Sequence, residues 1–200
     1  IVDYGVGNLF SLESSFRAVE EEVSVTKDPD SLKKADRIVL PGVGAFGDAA
    51  EKLRLFGMDE AIREVSGSGK PLLGICLGMQ LLFEKSYEFG EHPGLGLLRG
   101  SIVPMKGVIP KELKIPHIGW NPLILRNPSP ILKDIREESC VYFVHSYYAS
   151  SCDPYVTAEA EYGAYLTAAV EKDNVFGCQF HPEKSGEVGL RILKAFAQIC

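Results

Sequence analysis

The sequence predicts an α/β fold with an open, mostly parallel central sheet, helices on both faces and antiparallel strands in the C-terminal half. Two observations carry this expectation. Up to about Glu84, short apolar runs of strand type alternate with stretches whose apolar residues recur at helical spacing, the rhythm of a parallel sheet covered on both sides. Beyond that point glycines and prolines multiply, and strand-like pieces follow one another without long helices between them, which favours antiparallel pairing.

Ile1-Val2 reads as the end of a short strand, followed by a Gly5-Val6-Gly7-Asn8 turn and a helix carrying Leu9, Leu12, Phe16 and Val19. Val23 and Val25 alternate with polar residues as a second strand, which Asp28-Pro29-Asp30 closes. Ile38-Val39-Leu40 is a continuous apolar run, as a buried parallel strand should be. It stops at Pro41-Gly42-Val43-Gly44, and helices follow from about Phe46 to Leu55 and from about Asp59 to Val65, ending in a Gly67-Ser68-Gly69 turn. Leu72 to Ile75 is the next buried strand, with a helix from Leu77 to Phe83. The later strands are Ser101-Val103, Leu123-Leu125, Val141-Val144, Tyr155-Ala160, Leu166-Val170 and Val175-Phe180. A last helix runs from Gly186 to about Ile199, with Val188, Ile192, Leu193 and Phe196 on one side. With 200 residues, no internal repeat and no linker composition, a single domain over 1–200 is expected.

Composition narrows the function. A net charge of −6 disfavours nucleic acid or an anionic membrane as the main partner. No apolar run approaches the roughly 20 residues that span a bilayer. The chain opens on Ile1 inside a strand, so a residue or a few are expected to precede it, with no signal peptide. Five cysteines, Cys76, Cys140, Cys152, Cys178 and Cys200, form no C-x-x-C spacing. Neither metal nor cofactor is therefore implied, and Asn127-Pro128-Ser129 is no glycosylation site. A reducing cytoplasm fits, with every cysteine but Cys76 read as a small buried hydrophobe.

Gly74-Ile75-Cys76-Leu77-Gly78 lies between an apolar strand and an apolar helix. A sharp strand-to-helix turn strains its central residue, and the flanking glycines make room for it. Such a turn lifts Cys76 from the sheet edge to a helix N-terminus, where thiolate is favoured. The amide of Leu77 points at the same spot as an oxyanion donor. The plainer alternative is a buried cysteine at a glycine-rich strand end.

A nucleophilic thiol needs a base, and the base needs an orienting acceptor. Phe180-His181-Pro182-Glu183 follows one strand and precedes the last helix. Two residues apart around a stiff proline, His181 and Glu183 can meet. Of the other three histidines, His92 sits in a Gly/Pro loop and reads as solvated. His117 and His145 lack a carboxylate nearby in sequence, and His145 is the better rival base. Pro41-Gly42-Val43-Gly44 lacks the Lys-Ser/Thr of a phosphate loop. Its glycines let a peptide plane approach a reacting carbonyl, or simply make a tight turn.

Together these segments resemble the triad-type (class I) glutamine amidotransferases, with Gly-Ile-Cys-Leu-Gly-Met-Gln the most specific match, over nearly the whole chain. Pro116-His117-Ile118-Gly119-Trp120-Asn121, Tyr142-Phe143-Val144-His145-Ser146-Tyr147 and Asp3-Tyr4-Gly5-Val6-Gly7-Asn8-Leu9 are similar to the glutaminase subunits of imidazole glycerol phosphate synthases. The resemblance implies a flavodoxin-like fold and hydrolysis of glutamine to glutamate. It also implies a heterodimer in which ammonia passes to a (β/α)8-barrel cyclase subunit. Carried over, it implies Cys76 as nucleophile, His181 as proton shuttle and Glu183 as its orienter. It implies an oxyanion hole from Leu77 and the Val43-Gly44 peptide, and glutamine held by Gln80 and the backbone of Ser146 and Tyr147. Asn8, Trp120, Tyr142 and Lys184 would face the cyclase. Ser146 stands where a threonine is expected. Glutaminase subunits for pyridoxal phosphate or anthranilate synthesis, a stand-alone cysteine peptidase or γ-glutamyl hydrolase, and a non-catalytic subunit are the alternative readings.

Overall fold

In the computed structural model, which describes residues 1–199, the main sheet has six strands. Edge to edge they are Ile38–Leu40, Leu72–Ile75, Val175–Cys178, Tyr165–Lys172, Val156–Glu161 and Ile124–Leu125. The first three are parallel and the rest antiparallel. Beyond Ile38–Leu40, the Val2 amide donates to Val39 O at 2.9 Å and the Asp3 amide to Thr26 O at 2.8 Å, so the opening residues prolong the parallel half.

Alternation along the central strands sorts the core into two layers. Ile38, Leu40 and Leu72 pack with Leu32, Phe46, Leu53, Met58 and Ile62 from the helices Pro29–Lys34, Phe46–Leu55 and Met58–Gly67. Val39, Leu73 and Ile75 pack on the other face with Leu12 and Phe16 of Leu9–Ala18 and Ile192, Leu193 and Phe196 of Gly186–Ala197. Each such side chain contributes about 1.5–3 kcal/mol on burial. Truncating Leu73, fully buried in the second of these layers, costs about 2–5 kcal/mol.

Two smaller sheets complete the molecule. His92–Pro93, Phe83–Ser86, Leu98–Pro104 and Tyr147–Ser150 form one, and His117–Pro122 and Cys140–His145 the other. At Ser146 the chain passes from the second of these sheets to the first.

Several expectations need correction. Val23 and Val25 form no strand; only Thr26 bridges, to Val2, and Val25 is exposed. Asp28-Pro29-Asp30 starts a helix, because the Asp28 carboxylate accepts the amides of Asp30 and Ser31 and proline suits the first helical position. The helix after Cys76 ends at Leu81 and gives way to Phe83–Ser86, which pairs with Leu98–Pro104. Gly67 lies inside its helix. His92 is half-buried in a short strand, so close to Gly47 that a Cβ there would stand 2.8 Å from its ring. Among the cysteines Cys152 and Cys178 are buried, but Cys140 is exposed at a strand end; Cys200 lies outside the described residues.

Candidate active site

Three parallel strand ends converge here. Leu40 pairs with Gly74 and Ile75 with Cys178, while the Cys76 amide donates to Cys178 O at 2.8 Å. The segments leaving these strands are residues 41–44, the Cys76 turn and the loop carrying His181, all at the carboxyl edge where parallel sheets build sites.

Cys76 sits at φ 54°, ψ −113°, a region that L side chains avoid and that costs about 1–3 kcal/mol. The helix Leu77–Leu81 begins directly after it, and its first amides have no intrahelical acceptor. Space for the turn is tight. A Cβ on Gly78 would lie 1.9 Å from Leu40 O, and one on Gly42 would lie 2.8 Å from the Gly78 nitrogen. Leu40, Pro41 and Gly42 therefore pack directly on the elbow. The chain that follows is tied at Pro41 and at the helix start: the Tyr4 hydroxyl donates to Pro41 O at 2.7 Å, and the Phe46 amide donates to Glu88 Oε2 at 2.6 Å. Between them Gly44 adopts φ 97° and Val43 is exposed.

His181 Nδ1 lies 2.8 Å from Glu183 Oε1, and both side chains are almost completely buried. The short 3-10 turn Pro182–Lys184 brings the carboxylate back onto the ring. Nδ1 thus carries a proton toward Glu183, leaving Nε2 as the working nitrogen. Burial opposes charge on His181, but a hydrogen bond to Cys76 and then the Glu183 contact outweigh it, holding the imidazole up at about 9. At neutral pH His181 is an imidazolium, the partner that favours a thiolate. Burial also pushes the Tyr4 hydroxyl up, with Cys76 adding to the effect.

The rival base is excluded by its bonds. His145 Nδ1 donates to Tyr147 O at 2.9 Å, so its Nε2 is an acceptor, and that atom faces His117 Nδ1 at 3.2 Å. Burial holds His145 down to about 3. It is a neutral structural histidine.

Gln80 is buried; its Nε2 donates to Tyr147 O at 3.2 Å and to Gln179 Oε1 at 3.0 Å. Ser146 O accepts the Met105 amide at 3.0 Å, which fixes the bend beside Tyr147. The residues expected to face a partner divide. Trp120 and Tyr142 are cross-strand neighbours with ring centroids 6.0 Å apart, and Lys184 Nζ stands 6.0 Å from the Tyr142 ring. Together with exposed Ile118 they make one outward patch. Asn8 instead caps the helix Leu9–Ala18, accepting the Ser11 amide, and that helix packs against the Pro182–Lys184 turn.

Four residues at this site escaped the sequence reading: Tyr4 and Glu88, which tie the chain at Pro41 and Phe46, Ser185, which braces the histidine loop, and Gln179. Gln179 Nε2 donates to Cys76 Sγ at 3.7 Å. A glutamine at the end of the apolar run Val175 to Cys178 was the available signal. Among the described residues no cluster of side chains suits a metal ion, and no helix is long and apolar enough to cross a membrane.

Comparison with known proteins accords with this geometry. Residues 1–199 match the family described as glutamine amidotransferase class-I. The chain is 52% identical to the imidazole glycerol phosphate synthase subunit HisH of Wolinella succinogenes, covering all of this chain and 98% of that one. It is 49% identical to the HisH subunit of Caldanaerobacter subterraneus, covering 100% and 97%. A solved structure titled as a glutamine amidotransferase superposes with a TM-score of 0.76 at 18% identity, over 99% of this chain and 98% of that one; at that identity the likeness speaks to fold alone. A strained cysteine turn, a buried His–Glu pair and full-length relatives at about half identity agree, and the chain belongs to the class-I glutamine amidotransferases, among the HisH subunits of imidazole glycerol phosphate synthase.

Proposed function

We propose that this chain hydrolyses glutamine and delivers the ammonia to a cyclase subunit that makes imidazole glycerol phosphate in histidine biosynthesis, the two forming a cytoplasmic heterodimer. The observation that carries the reading is Cys76 at φ 54°, ψ −113° beside a His181 that is bonded to Glu183 at 2.8 Å. Cys76 thiolate attacks the γ-carboxamide carbon, and the negative oxygen of the tetrahedral adduct is received by the Leu77 amide and the Val43-Gly44 peptide. The carbon–nitrogen bond breaks as His181 Nε2–H protonates the departing nitrogen, leaving a γ-glutamyl thioester and ammonia. Water then attacks the thioester and gives its proton to His181; the carbon–sulfur bond breaks, releasing glutamate and regenerating the thiolate. Gln80 and the backbone at Ser146 and Tyr147 hold the substrate's α-amino and carboxylate groups.

Cys76, His181 and Gln80 keep only 7%, 3% and 5% of their surface exposed, which supports a site that opens on docking rather than a free peptidase. The Ile118, Trp120, Tyr142 and Lys184 patch, with the Asn8 turn, supports an interface on the side of the molecule that carries the His181 loop. The test is glutaminase turnover of the chain alone against the chain with the cyclase subunit and its nucleotide ligand. Low turnover alone and strong stimulation in the complex are expected. Equal activity without the subunit, or ammonia transfer to a pyridoxal phosphate or anthranilate synthase instead, would overturn the reading.

A further inference from the structure

One fully buried polar side chain beside the triad has no part in the scheme above. Gln179 has no exposed surface, and its backbone amide donates to Ala168 O at 2.8 Å, so it is held in the sheet. Its side chain lies between Gln80 and Cys76. A carboxamide can be turned end for end, so its direction must be set by a neighbour with one possible role. The carbonyl of Tyr147 is such a neighbour, since it can only accept. It draws the Gln80 NH2 group toward itself at 3.2 Å. The same NH2 reaches Gln179 at 3.0 Å, so the Gln179 carbonyl must face it. That leaves the Gln179 NH2 aimed at Cys76 Sγ, 3.7 Å away. One backbone carbonyl thus sets a donor direction through two amides to the nucleophile.

We propose that Gln179 is a catalytic residue of the hydrolysis, donating an N–H to the Cys76 sulfur in an orientation that Gln80 locks. The inference rests on the reading of Cys76 as the nucleophile. An N–H donor binds an anionic sulfur more strongly than a neutral one, so Gln179 favours the attacking form and aims it. A glutamine kept only to pack and to accept from Gln80 could cost stability on replacement by Met, but it would leave the pH profile of the sulfur where it was. The arrangement also gives Gln80 two duties, at the substrate and, through Gln179, at the thiol. His181, Tyr4 and Cys178 are also electrostatically coupled to Cys76, and Val144 O lies 4.0 Å from its Sγ; all four stay unchanged in the variants that test the idea.

The experiment is carboxamidomethylation by iodoacetamide of Gln179→Met, Gln179→Glu and Gln80→Met in the full chain, across acid to alkaline pH. Mass spectrometry of the Cys76 peptide keeps exposed Cys140 out of the readout. In Gln179→Met the rate at neutral pH, relative to that variant's own alkaline plateau, is expected to fall about tenfold, the worth of one bond to a charged acceptor. Gln179→Glu, which turns a donor into an anion, falls further. Gln80→Met, which touches no sulfur, falls by a smaller factor because the amide direction is no longer fixed. Within the complex, kcat for Gln179→Met drops in parallel while KM stays within about twofold. A Gln179→Met profile that superimposes on the parent overturns the proposal. Should that variant not fold, Gln80→Met decides: an unchanged profile overturns it and a shifted one supports it. Alkylation needs no turnover, so absence of glutaminase activity in the parent complex would sink the proposed function and leave this profile to be read by itself.

Discussion

The carbonyl of Tyr142 accepts the amide of His181 at 2.9 Å, while the Tyr142 ring stands edge-on to Trp120 on the outer surface. The same residue's amide donates to Ser185 Oγ at 3.0 Å, and that hydroxyl donates to His181 O at 2.7 Å. The loop carrying the base is thus bonded on both sides to the strand whose outward ring belongs to the proposed interface. A displacement of Tyr142 reaches His181 through one direct bond and a second route by way of Ser185, and needs no longer pathway.

The Ser185 hydroxyl makes two of those three bonds, and Ser185→Ala removes both, leaving the Tyr142 amide without its acceptor. A stability loss of about 1–3 kcal/mol is expected, lowering Tm by about 2–4 °C for each kcal/mol in a chain of this size. Because the loss falls on the base and not on glutamine contacts, kcat in the complex should fall several-fold more than KM changes. Equal kcat at a lowered Tm would show that the brace serves stability alone.

Trp120 is 55% exposed and flanked on one face by Ile118, Tyr142 and Lys184. A large aromatic ringed by such neighbours is the usual anchor of an interface. Trp120→Ala should weaken the cyclase complex by roughly 10–100-fold, the effect of about 2 kcal/mol or more at a hot spot, measured by titration calorimetry. Its own fold should persist, since the side chain supports no buried core. Unchanged affinity would place the interface elsewhere.

The Cys76 backbone makes a prediction that separates activity from stability. At φ 54°, ψ −113° only glycine is at ease, so the strain of about 1–3 kcal/mol is borne for the sake of the thiol. Cys76→Gly and Cys76→Ala should both abolish glutaminase activity. Cys76→Gly should nonetheless melt several degrees above Cys76→Ala, although glycine ordinarily destabilises. A reversed order in thermal unfolding would mean that the turn relaxes when the sulfur is removed.

What the sequence disclosed follows the range of the interactions. The Gly74 to Gly78 turn and the His181–Glu183 pair are local: each places its own atoms within a few bonds, and both stand where spacing put them. Parallel strands were legible because continuous apolar runs such as Ile38 to Leu40 are buried on both faces. Tyr4, Glu88, Gln179 and Ser185 were not, since the bond that ties each to the site runs to a partner far off in sequence, as in the 103 residues separating Gln179 from Cys76 and the 43 between Ser185 and Tyr142. Cys140 was recoverable. It shares its side of the strand with Tyr142 and Val144, and alternation with buried Val141 and Phe143 places it outward. The helix Pro29–Lys34 was also written locally, in Asp28 before Pro29, but Asp-Pro marks turns as readily as helix starts.

Two buried histidines with opposite shifts predict how stability varies with pH. His145, held down to about 3 by burial, is neutral when folded but takes a proton when unfolded below its ordinary 6.5. The unfolded chain then binds more protons, so stability falls as pH drops from about 6.5 toward 3, by on the order of a few kcal/mol. His181, held up to about 9 by Cys76 and Glu183 against its burial, acts the other way. Its contribution is complete below 6.5 and is lost as pH rises through 9. Between pH 4.5 and 6.5 the His181 contribution is therefore constant, and the slope belongs to His145 with a smaller part from His117, which burial also lowers. Urea midpoints measured over that interval should rise with pH in the parent chain. His145→Asn should flatten the rise while leaving the alkaline fall in place, and His181→Asn should do the reverse. A midpoint that stays level from pH 4.5 to 6.5 would mean that the His117–His145 pair keeps a proton in the folded state, shared across its 3.2 Å contact.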